Sequence, residues 1–234
     1  NLNFFIKNFF NMSTLLIIET SSKNCSVSIS QEGKLKSLVE KYSDNYSHSE
    51  NLHNFISKAL KKIKLSPNDL DAIAVGKGPG SYTGLRIGVS AAKGLCYALD
   101  IPLIGLNSLE ILCQRYKAKS NEILFPMFDA RRMEVYTMVL NSDKEIIKKT
   151  TAKIIKQGIF KDFSKEKTWV FFGEGSAKCK DIIKGNHVKF IDKIMYPSAR
   201  EMALFSYKYF KEKKFENIAY FEPFYLKEFI SKMS

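Results

Sequence analysis

Apolar and polar positions alternate along this chain in two rhythms, one of period two and one of helical period. "LLIIE" (Leu15 to Glu19) is a short apolar run, and after the polar turn "TSSKN" the stretch "CSVSIS" sets Cys25, Val27 and Ile29 against serines. A period of two belongs to a β-strand, so these segments predict a hairpin, and after "EGK" Leu35 to Tyr42 supplies a third antiparallel strand. From Ser47 to Leu65 the period lengthens. Leu52, Phe55, Ile56, Leu60 and Ile63 recur at helical spacing with lysines opposite, and Pro67 lies just beyond the end. "LDAIAV" reads as a buried strand, "GKGPGSYTG" as a glycine-rich loop, and Leu85 to Leu99 as a helix. Pro102 opens the short strand "PLIGL", and Ser108 is placed to cap a helix from Leu109 to about Lys117.

The rhythm then restarts. "EILFPMFDA" and "MEVYTMVL" predict a second hairpin turning at Ala130 to Arg132, with a third strand near Lys144 to Thr150. A helix from about Thr151, the strand "TWVFFG", a helix over Ser176 to Ile183 and the strand "HVKFI" follow. Tyr196-Pro197-Ser198 introduces a last amphipathic helix to about Lys213, ahead of "YFEPFYLKEF". Two successive units of hairpin, strand, helix and strand predict a duplicated α/β architecture, on the order of elements rather than on identity between the halves. Residues 12–118 form the first subdomain and 119–234 the second, the last helix and tail being assigned to the second. Residues 1–11 precede Met12 and lack the apolar core and cleavage site of a secretory signal; they are set aside as a non-native or mis-assigned extension.

Composition narrows the classes. No stretch reaches the roughly 18 apolar residues of a membrane span, so a soluble, cytoplasmic protein is expected. Cys25, Cys96, Cys113 and Cys179 form no CxxC pair, which argues for scattered reduced thiols rather than a zinc knuckle. The net charge of +13 would ordinarily point to nucleic acid. Nearly all of it is lysine, with arginine only at positions 86, 115, 131, 132 and 200, and this bias fits an AT-rich genome. Dispersed lysines make no reading surface by themselves.

The glycine loop matches neither familiar phosphate motif. Gly76-Lys77 is followed by Gly78 rather than Ser or Thr, and Gly76-x-Gly78 is followed by Ser81 where a dinucleotide fingerprint has its third glycine. A generic anion site at the helix start stays open. The helix carries two seams: Leu85, Val89, Ala92, Cys96 and Leu99, and beside it the smaller Gly84, Gly88, Ala91, Leu95 and Ala98. Only Arg86, Ser90, Lys93 and Tyr97 make a polar stripe. An interior helical glycine costs about 1 kcal/mol against alanine, so Gly88 and Gly94 call for a compensating close approach, by a partner helix or by the protein's own sheet.

"LLIIETSSKNCSVSIS", "GKGPGSYTGLRIGVSAAKGLCYALDIPLIGLNSLEIL", "FDARRMEVY" and "EPFYL" together resemble the TsaB (YeaZ) family over Met12 to Leu226. The resemblance implies a duplicated actin-like (ASKHA, RNase H-like) fold and a part in the threonylcarbamoyl modification of the tRNA adenosine beside the anticodon. It implies a non-catalytic protein that binds and activates its paralogue TsaD, in an assembly with the ATPase TsaE. It also implies a homodimer as the alternative when TsaD is absent, and contact with tRNA only through the complex. The implied interface pairs the helix of Ser47 to Lys64 with that of Leu85 to Leu99, through Leu52, Phe55, Ile56, Gly84, Arg86, Gly88, Ala91, Lys93 and Leu95.

TsaD carries N-H-x-E-G-H, whose histidines bind a metal; here the stretch is Asn107-Ser108-Leu109-Glu110-Ile111-Leu112, with Ser108 and Leu112 in the imidazole positions. His48, His53 and His187 are not spaced to replace them, and no metal site is expected. Actin-like kinases meet phosphate in the turn after their first strand. Glu19, Thr20, Ser21 and Ser22 stand in that place, Glu19 where the family more often has Asp, and Gly78, Gly80 and Ser81 stand in the facing loop. Thr and Ser are equally what a tight turn favours. The expectation is no cofactor of the chain's own, with ATP or ADP at the assembled complex. The rival is an independent actin-like small-metabolite kinase, using Glu19, Thr20 and the 78–81 loop on ATP. It would need a general base and an adenosine pocket that the short second half does not offer, and ATP turnover by the pure chain would distinguish it.

Overall fold

A computed structural model describes residues 12–44 and 48–227; the extension 1–11 and Ser47 of the first helix lie outside the described residues. The first sheet comprises β1 (Thr14–Glu19), β2 (Asn24–Gln31), β3 (Lys34–Tyr42), β4 (Ala72–Gly78) and β5 (Leu103–Asn107), in the order β3-β2-β1-β4-β5. The second comprises β6 (Glu122–Asp129), β7 (Glu134–Leu140), β8 (Ile146–Ile154), β9 (Thr168–Phe172) and β10 (Val188–Ile191), in the order β10-β9-β6-β7-β8. Each sheet has an antiparallel meander of three strands with two parallel strands added beside its first, so the second repeats the topology of the first. The helices are α1 (His48–Lys62), α2 (Tyr82–Leu99), α3 (Ser108–Gln114) and α4 (Ala199–Lys211).

β1 is buried along its whole length because both of its faces are covered. Leu16 and Ile18 pack with α1 and α2, whereas Leu15 and Ile17 pack with Ala199, Met202 and Ala203 of α4. The helix assigned to the second subdomain thus lies on the first sheet. This placement also accounts for the serines of β2. Ser26 and Ser28 are fully buried, and they bond the first turn of α4: the Ala199 N–H donates to Ser26 Oγ (2.8 Å), and Ser28 Oγ donates to the Ala199 carbonyl (2.9 Å).

Other boundaries depart from the expected ones. Residues 151–154 continue β8, with Thr151 opposite Thr137, because β-branched threonines suit a half-covered strand and Gly158 at φ 73° interrupts any helix beyond it. Over 174–179 only a short 3-10 turn forms, pressed so close to β6 that a Cβ at Gly175 would lie 2.6 Å from the Phe128 backbone. The cap of α3 is Asn107, whose Oδ1 accepts from the N–H groups of Leu109 (2.9 Å) and Glu110 (3.3 Å), and the helix ends at Gln114 instead of Lys117. Without a long helix, this face of the second sheet is closed by aromatic rings. Phe125 stacks on Phe171 at 4.6 Å and meets Phe160 at 4.7 Å. All four cysteines are free and buried, and no described helix is long and apolar enough to cross a membrane.

Candidate functional site

The turn after β1 and the glycine loop come together, but as partners of each other. A Cβ added at Gly76 would lie 2.1 Å from Glu19 Oε2, at Gly80 2.2 Å from the Ser21 carbonyl, at Gly84 2.1 Å from the Thr20 carbonyl, and at Gly88 2.2 Å from Thr20 Oγ1. The glycines therefore line a cradle that residues 19–21 fill. Thr20 Oγ1 donates to the Gly84 carbonyl (2.8 Å), and the Ser81 N–H donates to the Ser21 carbonyl (2.6 Å). The start of α2 is closed by the Ser81 hydroxyl, which accepts from the Gly84 N–H (3.3 Å). Glu19, Thr20 and Ser21 are shut off from solvent, so the residues expected at a nucleotide are engaged internally.

Glu19 is the centre of this arrangement. Its Oε1 accepts from the Ser21 N–H at 2.7 Å and its Oε2 from Ser108 Oγ at 3.1 Å, while Ser108 Oγ accepts from the Gly78 N–H at 3.3 Å. Burial lifts the carboxyl above its ordinary value of 4.5, against the opposing hydrogen bonds from Ser21 and Ser108. Ser108, expected as a helix cap, instead joins β1 to the glycine loop. Nothing in the local sequence around 108 signals that role, because its partner is 89 residues away. Leu112 packs in the core beside Phe128 and Phe172. His48 is buried with Nε2 2.7 Å from the Ser22 carbonyl, His53 is exposed, and His187 lies edge-on to Trp169 at 4.4 Å, so the three are scattered.

The expected interface residues divide. Leu52, Phe55 and Ile56 are 0%, 6% and 7% exposed within the chain's own core, and Gly84 and Gly88 are filled from inside by Thr20. In the free chain they present little or no surface, Phe55 and Ile56 keeping a thin exposed edge. Ala91 and Leu95 are half-buried against that core. Lys93 reaches the C-terminal segment, donating to the carbonyls of Phe221 (2.9 Å) and Ala219 (3.4 Å). That segment crosses the loop: the Phe224 N–H donates to the Lys77 carbonyl (2.7 Å), Lys77 pairs with Glu216 (3.1 Å), and Tyr225 packs on Tyr82 at 5.0 Å. The outward stripe of α2 is Thr83, Arg86, Ser90, Gly94, Tyr97 and Ala98, with Tyr97 85% exposed.

At the equivalent end of β6, Asp129 pairs with Lys178 at 2.6 Å. Glu174 nearby is pushed up from 4.5 to about 7 by burial and by the Asp129 charge, with Lys23 and Lys178 opposing. The folded chain therefore holds this proton to higher pH than the unfolded chain does. Stability from this group is full below about 4.5 and is lost as pH rises through about 7. Glu174→Gln should flatten that decline in thermal melts taken from acid to neutral pH; an unchanged slope would assign the decline to another group.

A family model described as TsaD, tRNA N6-adenosine threonylcarbamoyltransferase, matches residues 43–232. The chain is 32% identical over 204 residues to the tRNA threonylcarbamoyladenosine biosynthesis protein TsaB of Buchnera aphidicola subsp. Schizaphis graminum, covering 82% of this chain and 91% of that protein. The solved structure of YeaZ from Pseudomonas aeruginosa superposes with a TM-score of 0.79 at 25% identity, over 92% of this chain and all of the other. The ethanolamine utilization protein EutJ from Carboxydothermus hydrogenoformans shares the fold alone, with a TM-score of 0.51 at 9% identity over 85% of this chain and 92% of its own. Two sheets of one topology, a β1 turn enclosed by a glycine loop and these relatives agree: the chain belongs to the TsaB (YeaZ) family of tRNA threonylcarbamoyladenosine biosynthesis proteins and has a duplicated actin-like fold.

Proposed function

We propose that this chain is the non-catalytic partner that binds and activates TsaD for threonylcarbamoyl transfer to the tRNA adenosine next to the anticodon, in a complex that also takes up TsaE. The observation that carries this reading is the filled cradle. Glu19, Thr20 and Ser21, which stand where the resemblance to actin-like kinases would put phosphate contacts, are instead packed against Gly76, Gly80, Gly84 and Gly88 of the chain itself. Nucleotide, ATP or ADP, is accordingly assigned to the assembled complex rather than to this chain alone. The outward stripe of α2 together with the exposed residues of α1, such as Asn54 and Lys58, is the surface proposed to meet TsaD. The buried residues expected at the interface shape it from beneath.

Titration of TsaD with the purified chain tests the reading. A stable complex is expected, and the chain alone should modify no tRNA and turn over no ATP. Arg86→Glu combined with Tyr97→Ala removes the two outward side chains of α2 of the types that dominate interface energies. TsaD affinity should fall by about tenfold or more, roughly 1.4 kcal/mol per factor of ten, with thermal stability unchanged. Unaltered affinity would move the interface off this helix; modification of tRNA by the isolated chain would end the non-catalytic reading.

A further inference from the structure

The hairpin turn between β6 and β7 holds two consecutive arginines in a backbone conformation that L residues avoid. Arg131 has φ 68° and Arg132 has φ 48°, and no other two adjacent non-glycine residues among those described are both left-handed. Asn, Asp or Gly would fill these positions at lower cost. The turn is nevertheless firmly built. The Arg131 N–H donates to Asp129 Oδ1 (2.6 Å), and the Glu134 N–H donates to the Arg131 carbonyl (3.2 Å). Lys178 Nζ clamps it from behind, donating to Asp129 Oδ1 (2.6 Å) and to the carbonyls of Arg132 (2.7 Å) and Glu134 (2.6 Å).

The charge there is left over. Asp129 is already paired with Lys178 and Glu134 with Lys227. Both arginines are exposed, and among the described residues neither enters an ion pair, whereas Arg115 and Arg200 meet Glu201 and Glu40. Only five of the chain's 37 basic residues are arginine, so a composition that otherwise chooses lysine keeps two guanidiniums side by side at one strained turn. Lysine supplies the same charge. What arginine adds is a planar, bidentate donor fork suited to phosphate oxygens. Lys153, opposite Val135 on β8, and Lys156 just beyond extend the basic edge.

We propose that the 130–133 turn contacts the phosphate backbone of an RNA strand through Arg131 and Arg132. RNA is chosen over an acidic protein face on the function proposed above, which brings tRNA to the complex, and the choice rests on that reading. The same turn exposes Met133, with Ile154 exposed opposite Glu134, so a protein partner is the competing occupant. Loss of TsaD affinity in the Arg131→Asn, Arg132→Gly variant with RNA affinity kept would overturn the proposal. The contact positions the strand and reads no bases.

The test uses the full chain, alone and with TsaD, and an unmodified tRNA transcript as probe, with affinity measured by fluorescence anisotropy over a salt series. Arg131→Asn with Arg132→Gly places residues that accept left-handed geometry. It should hold or raise the thermal midpoint while lowering RNA affinity about tenfold or more. The slope of log affinity against log salt should become shallower by about 0.7–0.9 for each phosphate that is no longer neutralised. Arg131→Lys with Arg132→Lys leaves the backbone demand and the charge in place, and should keep the slope while losing part of the affinity. Equal affinity and slope in the Asn/Gly variant, no RNA binding by the unaltered chain in either form, or a loss seen with ATP but not with tRNA would each overturn the proposal. TsaD titration of the same variants separates the two readings. Failure of the unaltered chain to bind TsaD counts against the accessory role, and the RNA series then decides this site by itself.

Discussion

Gly88→Leu is expected to destabilise the fold itself around the glycine loop rather than to leave stability unchanged with a spoiled partner surface. The sequence alone allows either outcome, because a small residue on a helix serves a partner backbone as well as an internal one. The geometry decides: a Cβ at position 88 would sit 2.2 Å from Thr20 Oγ1, and Thr20 cannot retreat while its hydroxyl donates to the Gly84 carbonyl at 2.8 Å. Overpacking costs about 1–3 kcal/mol where a core can give, and more where it cannot. Here the collision is with a side chain tied to a backbone turn, so a loss of about 3 kcal/mol or more is expected, or a fall of roughly 6–12 °C in midpoint for a chain of this size. Gly94, on the same helix, has nothing within 4 Å of its would-be Cβ. Gly94→Ala should therefore stabilise by about 0.5–1 kcal/mol. Thermal melts of the two variants should move in opposite directions. A Gly88→Leu protein as stable as its parent would mean that the helix stands further from the β1 turn than the structure places it.

Glu19→Ala carries the second large effect. Removing the side chain strands two buried donors, the Ser21 N–H and the Ser108 hydroxyl, and empties the space that Gly76 was kept small to provide. Each orphaned group costs about 1–3 kcal/mol, offset in part because a buried carboxyl no longer has to be desolvated, for a net loss of about 2–4 kcal/mol. Glu19→Gln keeps an acceptor for the Ser21 N–H and fills the space, but its amide N–H meets the Ser108 hydroxyl as a second donor and leaves that hydroxyl proton unpaired, so only part of the stability should return. The two substitutions also differ in pH response. With its folded pKa raised above 4.5, Glu19 contributes stability that is complete below that value and is lost as pH rises through the raised one. Glu19→Gln should remove that dependence, and denaturant midpoints measured at acid and neutral pH check it. If Glu19→Ala proves neutral, the carboxyl is not the link between β1, the loop and α3.

Much of this protein was legible from residue order. Strand periods of two, a helical run at Leu52, Phe55, Ile56 and Leu60, and the restart at Glu122 predict two hairpin-led sheets, because each is a local pattern of side chains that must face one way. The motif residues after β1 and in the glycine loop were equally visible. What the chain by itself left open was which surface each pattern faces. The alternating serines of β2 look solvent-facing until α4, some 170 residues later, arrives to bond them. Residues 151–163 carry apolar positions that a helix could also bury, and only pairing with β7 and the break at Gly158 make the first part a strand. The glycines of the loop and of α2 promise a close approach without naming the object approached, and at Gly94 the promise fails, since nothing approaches it. At Gly76, Gly80, Gly84 and Gly88 the tertiary structure supplies it, the chain's own Glu19, Thr20 and Ser21, since close packing is a relation between segments far apart in sequence and leaves no periodic trace in either one.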